Sequence, residues 1–148
     1  MITKPIGIGT DHGGFPLKRC VMDAVRNKGH EVHDLGTDSE KPVDYPDLAH
    51  KVVHSIVAGT VDTGILLCGT GIGVSIAANR HKLIRAAVCY DKETALLARQ
   101  HNNANVLCIG GRKTNEELAI EMVEIFLSTD FLGGRHTRRL RKIGKTVE

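Results

Sequence analysis

Short apolar runs alternate with segments of helical periodicity five times along this 148-residue chain. Several of these runs are continuous rather than alternating between apolar and polar residues, which is typical of strands buried on both faces of a parallel sheet. The pattern predicts strands at 6–9, 31–35, 64–67, 85–90 and 105–109. Repeated strand–helix alternation favours βαβ units with right-handed crossovers and one parallel sheet.

The segments between the runs place apolar residues three and four positions apart, as in helices that pack one face on a sheet. This spacing predicts helices at about 15–27, 47–58, from 72, 92–100 and after 114, with a basic helix near 137–143. Gly29 and Gly59 follow the first two helices and are typical C-terminal stops. Thr114 and Glu117 have the spacing of a capping box, which predicts Thr114 as the N-cap of the fifth helix.

The length of the chain favours a single domain over residues 1–148 with a sizeable core. No apolar run approaches the ~18 residues of a membrane span, and the first residues lack the pattern of a signal peptide. The four cysteines are widely spaced with no C-x-x-C pair, so no metal site is expected. A reduced, cytoplasmic protein is the simplest interpretation.

The net charge of +3 is unevenly distributed along the chain. Residues 135–148 hold six of the 20 Lys and Arg residues and a single acidic residue. A basic segment on a mildly acidic body indicates a local anion site. The chain has no Trp, two Tyr and three Phe, so platforms for stacking bases are scarce and no nucleic-acid partner is expected.

Cys68 lies where the third apolar run meets a glycine-rich turn that contains Gly69, Gly71 and Gly73. A strand that turns sharply into a helix offers several backbone N–H groups to an anion. The start of the helix also favours a thiolate. An inert, buried thiol is the ordinary alternative, and it is the interpretation we keep for the other three cysteines, Cys20, Cys89 and Cys108.

Three chemistries suit a thiol in an anion-binding turn. A cysteine phosphatase needs an arginine six positions after the cysteine, where this chain has Val74. A dinucleotide-binding fingerprint matches at Gly69 and Gly71 but also fails at Val74, where its third glycine belongs. The third is proton abstraction next to a carbonyl, with the thiolate as base and backbone N–H groups holding the enediolate oxygen.

Further polar clusters follow other elements of the predicted sheet. Asp11 and His12 follow the first strand, and His101 ends the fourth helix beside Asn102. In the basic segment, Arg135 and Arg139 are four residues apart and share a helix face, so they could grip one phosphate. Helix capping and solvated charge are the structural alternatives for these clusters. We expect the candidate chemistry to collect at one rim of the sheet, beyond the carboxyl ends of the strands.

Five motifs, which together span nearly the whole chain, resemble one known family. They are Thr10-Asp11-His12-Gly13-Gly14, Asp44-Tyr45-Pro46-Asp47, Cys68-Gly69-Thr70-Gly71-Ile72-Gly73, His101-Asn102-x-Ala104-Asn105 and Gly133-Gly134-Arg135-His136-x-x-Arg139. In these motifs the chain resembles the type B ribose-5-phosphate isomerases, a family that also includes isomerases of allose and galactose 6-phosphates.

The resemblance implies a Rossmann-like α/β/α sandwich with a five-stranded parallel sheet and a C-terminal helix. It implies a homodimer or homotetramer with active sites at the subunit interface. The implied reaction interconverts ribose 5-phosphate and ribulose 5-phosphate without a cofactor. Isomerisation of allose or galactose 6-phosphate is the alternative, and a non-catalytic nucleotide- or phosphate-binding module is a third interpretation.

The resemblance also implies roles for individual residues. Cys68 would move a proton between C2 and C1, Thr70 would assist the transfer of the hydroxyl proton, and His101 would open the furanose ring. The backbone N–H groups that would stabilise the enediolate belong to Gly69, Gly71, Ile72 and Gly73. The side chains that would contact the sugar are Asp11, Asn102 and Tyr45. The side chains that would bind the phosphate are His12, Arg112, Arg135 and Arg139.

Overall fold

A computed structural model describes residues 2–144 of the chain; Met1 and residues 145–148, the end of the basic segment, lie outside the described residues. Five parallel strands form one sheet in the order β2-β1-β3-β5-β4. The strands are β1 (Ile6–Thr10), β2 (Val32–Asp34), β3 (Thr63–Cys68), β4 (Ala86–Val88) and β5 (Val106–Gly110). The predicted five-stranded parallel sheet is confirmed, with shorter β2 and β4 because these edge strands pair on one side only.

Helices cover both faces of the sheet, so the predicted α/β/α sandwich with a C-terminal helix is confirmed. The helices are α1 (Phe15–Asn27), α2 (Tyr45–Val57), α3 (Ile72–Ala78), α4 (Lys92–Asn102), α5 (Glu116–Ser128) and α6 (Arg135–Ile143). Helices α1, α4 and α5 pack on one face, and α2 and α3 pack on the other. No helix within residues 2–144 is long and apolar enough to span a membrane.

The core lies on both sides of the three central strands, β1, β3 and β5, in which every residue is buried. This explains why their sequences are continuous apolar runs. Phe126 and Val21 fill the layer beneath α1 and α5, whereas Val52 and Val74 fill the layer beneath α2 and α3. Each such side chain contributes about 1.5–3 kcal/mol through burial, so the sheet is a rigid base for the loops that leave it.

The start of α5 differs from the sequence prediction by one residue. The N-cap is Asn115, whose Oδ1 accepts a hydrogen bond of 2.8 Å from the N–H of Leu118. Thr114 is only 7% exposed, and its Oγ1 has no hydrogen-bond partner among the described residues. The predicted capping box at Thr114 is therefore wrong. Asparagine caps a helix as well as threonine does, and the Thr114 side chain is buried instead.

The loops after β1 and β3 lie at the point where the strand order reverses. β1 has β2 on one side and β3 on the other, with Thr10 opposite Leu67 at the carboxyl ends. The connection from β1 leads outward to β2, and the connection from β3 leads outward in the other direction to β4. The two connections therefore diverge at this point of the sheet, which is where doubly wound sheets usually bind their ligands.

Candidate active site

Three loops at the carboxyl edge of the sheet are tied together by backbone hydrogen bonds. The N–H of Asp11, after β1, donates to the carbonyl of Leu67 at 3.1 Å. After β5, the N–H of Gly111 donates to the carbonyl of Cys68 at 2.7 Å, and the N–H of Arg112 donates to the carbonyl of Gly69 at 3.0 Å. The turn after β3 is thus held between the other two loops and cannot move independently of them.

The turn directs backbone N–H groups at the Cys68 thiol and its neighbour. Cys68 is 4% exposed, and its Sγ accepts a hydrogen bond of 3.1 Å from the N–H of Gly71. The N–H of Ile72 donates to Oγ1 of Thr70 at 3.2 Å. A sulfur that accepts from an N–H group is stabilised when it carries negative charge. The turn fixes the position of the Cys68 sulfur beside the N–H of Gly71.

The other cysteines lie in environments that favour the neutral thiol. Burial raises the pKa of Cys89 to about 11. Burial and then the neighbouring thiols raise the pKa of Cys108, which lies inside β5. Burial also raises the pKa of Cys20, whose Sγ donates to the carbonyl of Leu17 at 3.2 Å. The Cys68 sulfur accepts from the N–H of Gly71 in the glycine turn, whereas the Cys20 and Cys89 thiols donate to the carbonyls of Leu17 and Ala87.

Asp11 and His12 follow β1 at the same edge of the sheet, and each accepts a hydrogen bond from a loop backbone. Asp11 is 6% exposed, and its Oδ1 accepts from the N–H of Gly14 at 3.0 Å, so it supports the loop before α1. His12 accepts from the N–H of Val43 at Nδ1, at 3.2 Å. This bond places the imidazole proton of neutral His12 on Nε2, which can donate to an anion.

Tyr45 and Arg112 both border the turn. A Cβ built on Gly73 would lie 2.7 Å from two atoms of the Tyr45 ring, so only a glycine lets the ring pack here. A Cβ built on Gly69 would lie 3.1 Å from Nη1 of Arg112, which places that guanidinium against the turn. The predicted residues at this edge form one set, which we call the carboxyl-edge group: Asp11, His12, Tyr45, residues 68–73 and Arg112.

The remaining predicted residues lie at the opposite edge of the sheet. α4 begins beyond the carboxyl end of β4 and runs back, so its last residues, His101 and Asn102, lie where β4 and β5 begin. The N–H of Asn105 donates to the carbonyl of Arg85 at 3.0 Å, just before these two strands. α6 contacts α4 and brings its arginines to this edge. We call this set the amino-edge group: His101, Asn102, Arg135 and Arg139.

The expectation that all the candidate chemistry meets at one rim is therefore wrong for a single protomer. A strand rises about 3.3 Å per residue, so the six residues of β3 separate the two edges by about 15–20 Å. α4 runs antiparallel to the strands. His101 and Asn102, at the end of α4, therefore lie near the start of β5 and far from its carboxyl end.

Two residues near these groups had no predicted role. The Tyr90 hydroxyl donates to the carbonyl of Thr70 at 2.7 Å and so braces the Cys68 turn. The His136 ring stacks on His101 with 4.3 Å between ring centroids and 16° between planes. Burial lowers the pKa of His136, and the nearby His101, Arg135 and Arg139 lower it further. The Gly-Gly-Arg-His motif contained this histidine, but no local pattern reveals a stacking partner 35 positions earlier.

Replacing Gly71 by alanine is expected to disrupt the Cys68 turn. Gly71 has φ of 79°, and an added Cβ would lie 3.0 Å from the carbonyl carbon of Ile109. Left-handed backbone strain costs on the order of 1–3 kcal/mol. We expect the Gly71→Ala protein to unfold at a lower urea concentration, whereas Gly144→Ala, with no atom near its Cβ position, serves as the control. An unchanged urea midpoint would contradict this account.

No cluster of three or more His, Cys, Asp or Glu side chains in residues 2–144 is arranged to hold a metal ion. The carboxyl-edge group contains a thiol, a hydroxyl, backbone N–H groups, a carboxylate, an imidazole and a guanidinium. A doubly wound parallel sheet with these groups at its switch point defines an α/β protein that binds an anionic small molecule beyond the carboxyl ends of its strands.

Comparison with known proteins identifies the family. Residues 6–143 match the model of the ribose/galactose isomerase family. The ribose-5-phosphate isomerase B of Escherichia coli is 46% identical over 140 residues, covering 95% of this chain and 94% of that protein. A putative sugar phosphate isomerase of Rickettsia bellii is 44% identical over 143 residues, covering 97% and 99%. The chain belongs to the ribose/galactose isomerase family.

Solved structures agree with this assignment. A ribose 5-phosphate isomerase of Thermotoga maritima is 56% identical and superimposes with a TM-score of 0.92, covering 95% of this chain and 97% of that one. The ribose-5-phosphate isomerase B of Mycoplasma genitalium, solved with bound ribulose 5-phosphate, is 42% identical with a TM-score of 0.90, covering 97% and 95%. At these identities the similarity extends to sequence as well as fold.

Proposed function

We propose that residues 1–148 form one sugar-phosphate isomerase domain that interconverts ribose 5-phosphate and ribulose 5-phosphate. The observation that carries this proposal is the hydrogen bond from the N–H of Gly71 to the Cys68 sulfur, in a turn braced by Tyr90 and Arg112. The similarity to ribose-5-phosphate isomerases B from several organisms supports the choice of substrate. The reaction needs a base, an oxyanion site and a phosphate site, and no cofactor.

The proposed reaction moves one proton between neighbouring carbons. The Cys68 thiolate removes the proton from C2 of the open-chain aldose, and the C2–H electrons form the C1–C2 double bond as negative charge develops on O1. The N–H groups of residues 69–73 stabilise that charge. Thr70 relays the hydroxyl proton from O2 to O1, and the Cys68 thiol then returns its proton to C1. The carbonyl is now at C2, and the sulfur is again a thiolate.

We further propose that each active site combines the carboxyl-edge group of one protomer with the amino-edge group of its partner. The two groups of one protomer lie about 15–20 Å apart across β3, too far for one pentose phosphate to contact both. Two subunits related by a two-fold axis would form two equivalent composite sites. In such a site His101 of the partner subunit opens the furanose ring, and Asn102 of the partner subunit holds a hydroxyl.

The phosphate would be shared between the two subunits. His12 and Arg112 border the turn on the carboxyl edge, and Arg135 and Arg139 lie one helical turn apart on α6. Two guanidinium groups on one helix face can bind a phosphate through several charge-assisted hydrogen bonds. Asp11 and Tyr45 would contact the sugar between this phosphate site and the thiol.

An exposed apolar surface beside the thiol turn supports association of two copies. Ile72 is 49% exposed and Ile76 is 62% exposed on α3, which begins at the turn itself. Exposed apolar side chains grouped in this way are typical of an interface. A partner that covers α3 would also enclose the open side of the Cys68 turn. We propose a homodimer, or a homotetramer built from such dimers, located in the cytoplasm, where its four cysteines would remain free thiols.

The substrate is tested by comparing kcat/KM for ribose 5-phosphate, allose 6-phosphate and galactose 6-phosphate. We expect ribose 5-phosphate to have the highest value, because its relatives named in the comparisons act on that sugar. Six-carbon substrates need a deeper pocket but use the same base and phosphate site. A higher kcat/KM for either hexose phosphate would assign the enzyme to that substrate, and no turnover of any of the three would reject the isomerase proposal.

A further inference from the structure

The Arg99 guanidinium lies near the end of α4, two residues before His101, and its contacts are unusual for a helix arginine. Nη1 donates to Oδ1 of Asn103 at 3.0 Å and to the carbonyl of Ala104 at 2.6 Å, and Nε donates to the carbonyl of Thr129 at 3.1 Å. Its Cζ lies 5.6 Å from the centre of the Phe126 ring. None of the ion pairs found within residues 2–144 includes Arg99.

Three neutral oxygens therefore hold a partly buried cation. Burial lowers the pKa of Arg99, the nearby Arg85 lowers it further, and the Asp130 carboxylate, which forms no ion pair with Arg99 among the described residues, raises it in part. Burying a guanidinium is costly unless its N–H groups are hydrogen-bonded. The planar fork of three hydrogen bonds therefore keeps the Arg99 side chain in its partly buried position. A lysine ammonium has no equivalent fork and could not reach the same oxygens in the same directions.

One arm of the Arg99 network holds the turn that ends α4. Asn103 has a left-handed backbone with φ of 45°, which reverses the chain directly after Asn102. Nε of Arg85 donates to the carbonyl of Asn103 at 3.0 Å, while Arg99 holds its side chain and the next carbonyl. The orientation of His101 and Asn102, in the last turn of α4, therefore depends on this pair of arginines.

The other arm reaches the segment that leads into α6. Thr129 is the C-cap of α5, and three residues later the N–H of Leu132 donates to the carbonyl of Gln100 at 3.1 Å. The segment then enters α6, where His136 stacks on His101. Arg99 thus connects the two stretches of chain that carry the whole amino-edge group. Its Nε and Nη1 donate to oxygens of the protein, so it acts on this group through the fold and not through contact with a ligand.

We propose that Arg99 is a positioning residue for the amino-edge group: it sets the spacing between the His101–Asn102 end of α4 and the Arg135–Arg139 face of α6. The inference rests on the proposed composite site, since it assigns Arg99 to the half that each subunit supplies to its partner. Loss of the fork would misplace the ring-opening imidazole and the phosphate arginines together, while the Cys68 turn of the same protomer stays intact.

The test is Arg99→Lys, which keeps the charge and removes the fork. We expect kcat/KM for ribose 5-phosphate to fall about 10- to 100-fold, because displacement by about 1 Å has effects of this size. Far-UV circular dichroism and sedimentation at the assay temperature would show a folded protein of unchanged size. The matched control is Arg26→Lys, an exposed arginine in the last turn of α1, which should retain full activity.

Two further measurements separate positioning from a general loss of stability. Erythrose 4-phosphate cannot close a furanose ring, because its terminal hydroxyl carries the phosphate. Deuterium exchange at its C2, which reports on Cys68, should therefore fall less than turnover of ribose 5-phosphate. Co-expressed, doubly tagged heterodimers of Arg99→Lys with Cys68→Ala should regain activity, whereas heterodimers of Arg99→Lys with His101→Asn should not.

The possible outcomes are distinct. Activity of Arg99→Lys within twofold of the wild type, or recovery with His101→Asn rather than with Cys68→Ala, would overturn the positioning role alone. Failure of Cys68→Ala and His101→Asn to complement each other would overturn the composite site, and this inference with it. If Arg99→Lys does not fold, Asn103→Gly, which removes one acceptor and suits the left-handed backbone, must show the same complementation pattern; its absence there would overturn the proposal.

Discussion

Replacing Cys68 by alanine is expected to lower kcat for ribose 5-phosphate by about 10³-fold, the usual effect of removing a general base. The reason is that the Cys68 sulfur is the group held by the N–H of Gly71 at 3.1 Å, beside Thr70. The side chains that we propose to bind the phosphate make no contact with that sulfur among the hydrogen bonds of the described residues. We therefore expect binding of a non-isomerisable polyol phosphate, measured by calorimetry, to remain unchanged.

The control for this result is Cys20→Ala. Cys20 lies on α1, and its thiol donates to a carbonyl of its own helix, so its removal should leave kcat unchanged. Full activity of the Cys68→Ala protein would reject Cys68 as the base. A covalent sugar adduct on Cys68 along the reaction path would also contradict the proposal, because it would make the thiol a nucleophile rather than a proton carrier.

Heterodimers of Cys68→Ala and His101→Asn are expected to regain about half of the wild-type rate per dimer, because one of two symmetric composite sites is then intact. Each variant alone should be nearly inactive towards the cyclic sugar. In the heterodimer, the intact Cys68 of one subunit meets the intact His101 of the other. The measurement uses co-expression of the two chains with different tags and sequential affinity purification.

The decisive control pairs a wild-type chain with a chain that carries both substitutions. In a composite arrangement neither site of this heterodimer is complete, so it should be nearly inactive although one subunit is entirely wild type. If each protomer instead held a self-contained site, the wild-type subunit would give half activity, and the first heterodimer would give none. The two pairs of variants therefore give opposite results under the two arrangements.

Continuous apolar runs allowed the sheet to be predicted, because strands buried on both faces leave no polar positions. The ends of elements were less predictable. Thr114 and Asn115 are adjacent residues that can both cap a helix, and burial of the Thr114 side chain selects Asn115. At the site, the sequence left two roles open for Asp11, support of a helix start and contact with a ligand. The structure shows that one of its carboxylate oxygens accepts a hydrogen bond from the N–H of Gly14.

Residues 68–73 could be recognised from the amino-acid sequence alone as a strand end, a glycine turn and a helix start, because these features are contiguous and their geometry is local. Their role as an oxyanion turn stays a prediction. The grouping of His101, Asn102, Arg135 and Arg139 was decided only by the tertiary structure. An 11-residue helix is about 16 Å long, so α4 carries its last turn across the sheet to the amino edge. Cys68 and His101 therefore lie at opposite edges of one protomer, and the proposed partner subunit would bring them together.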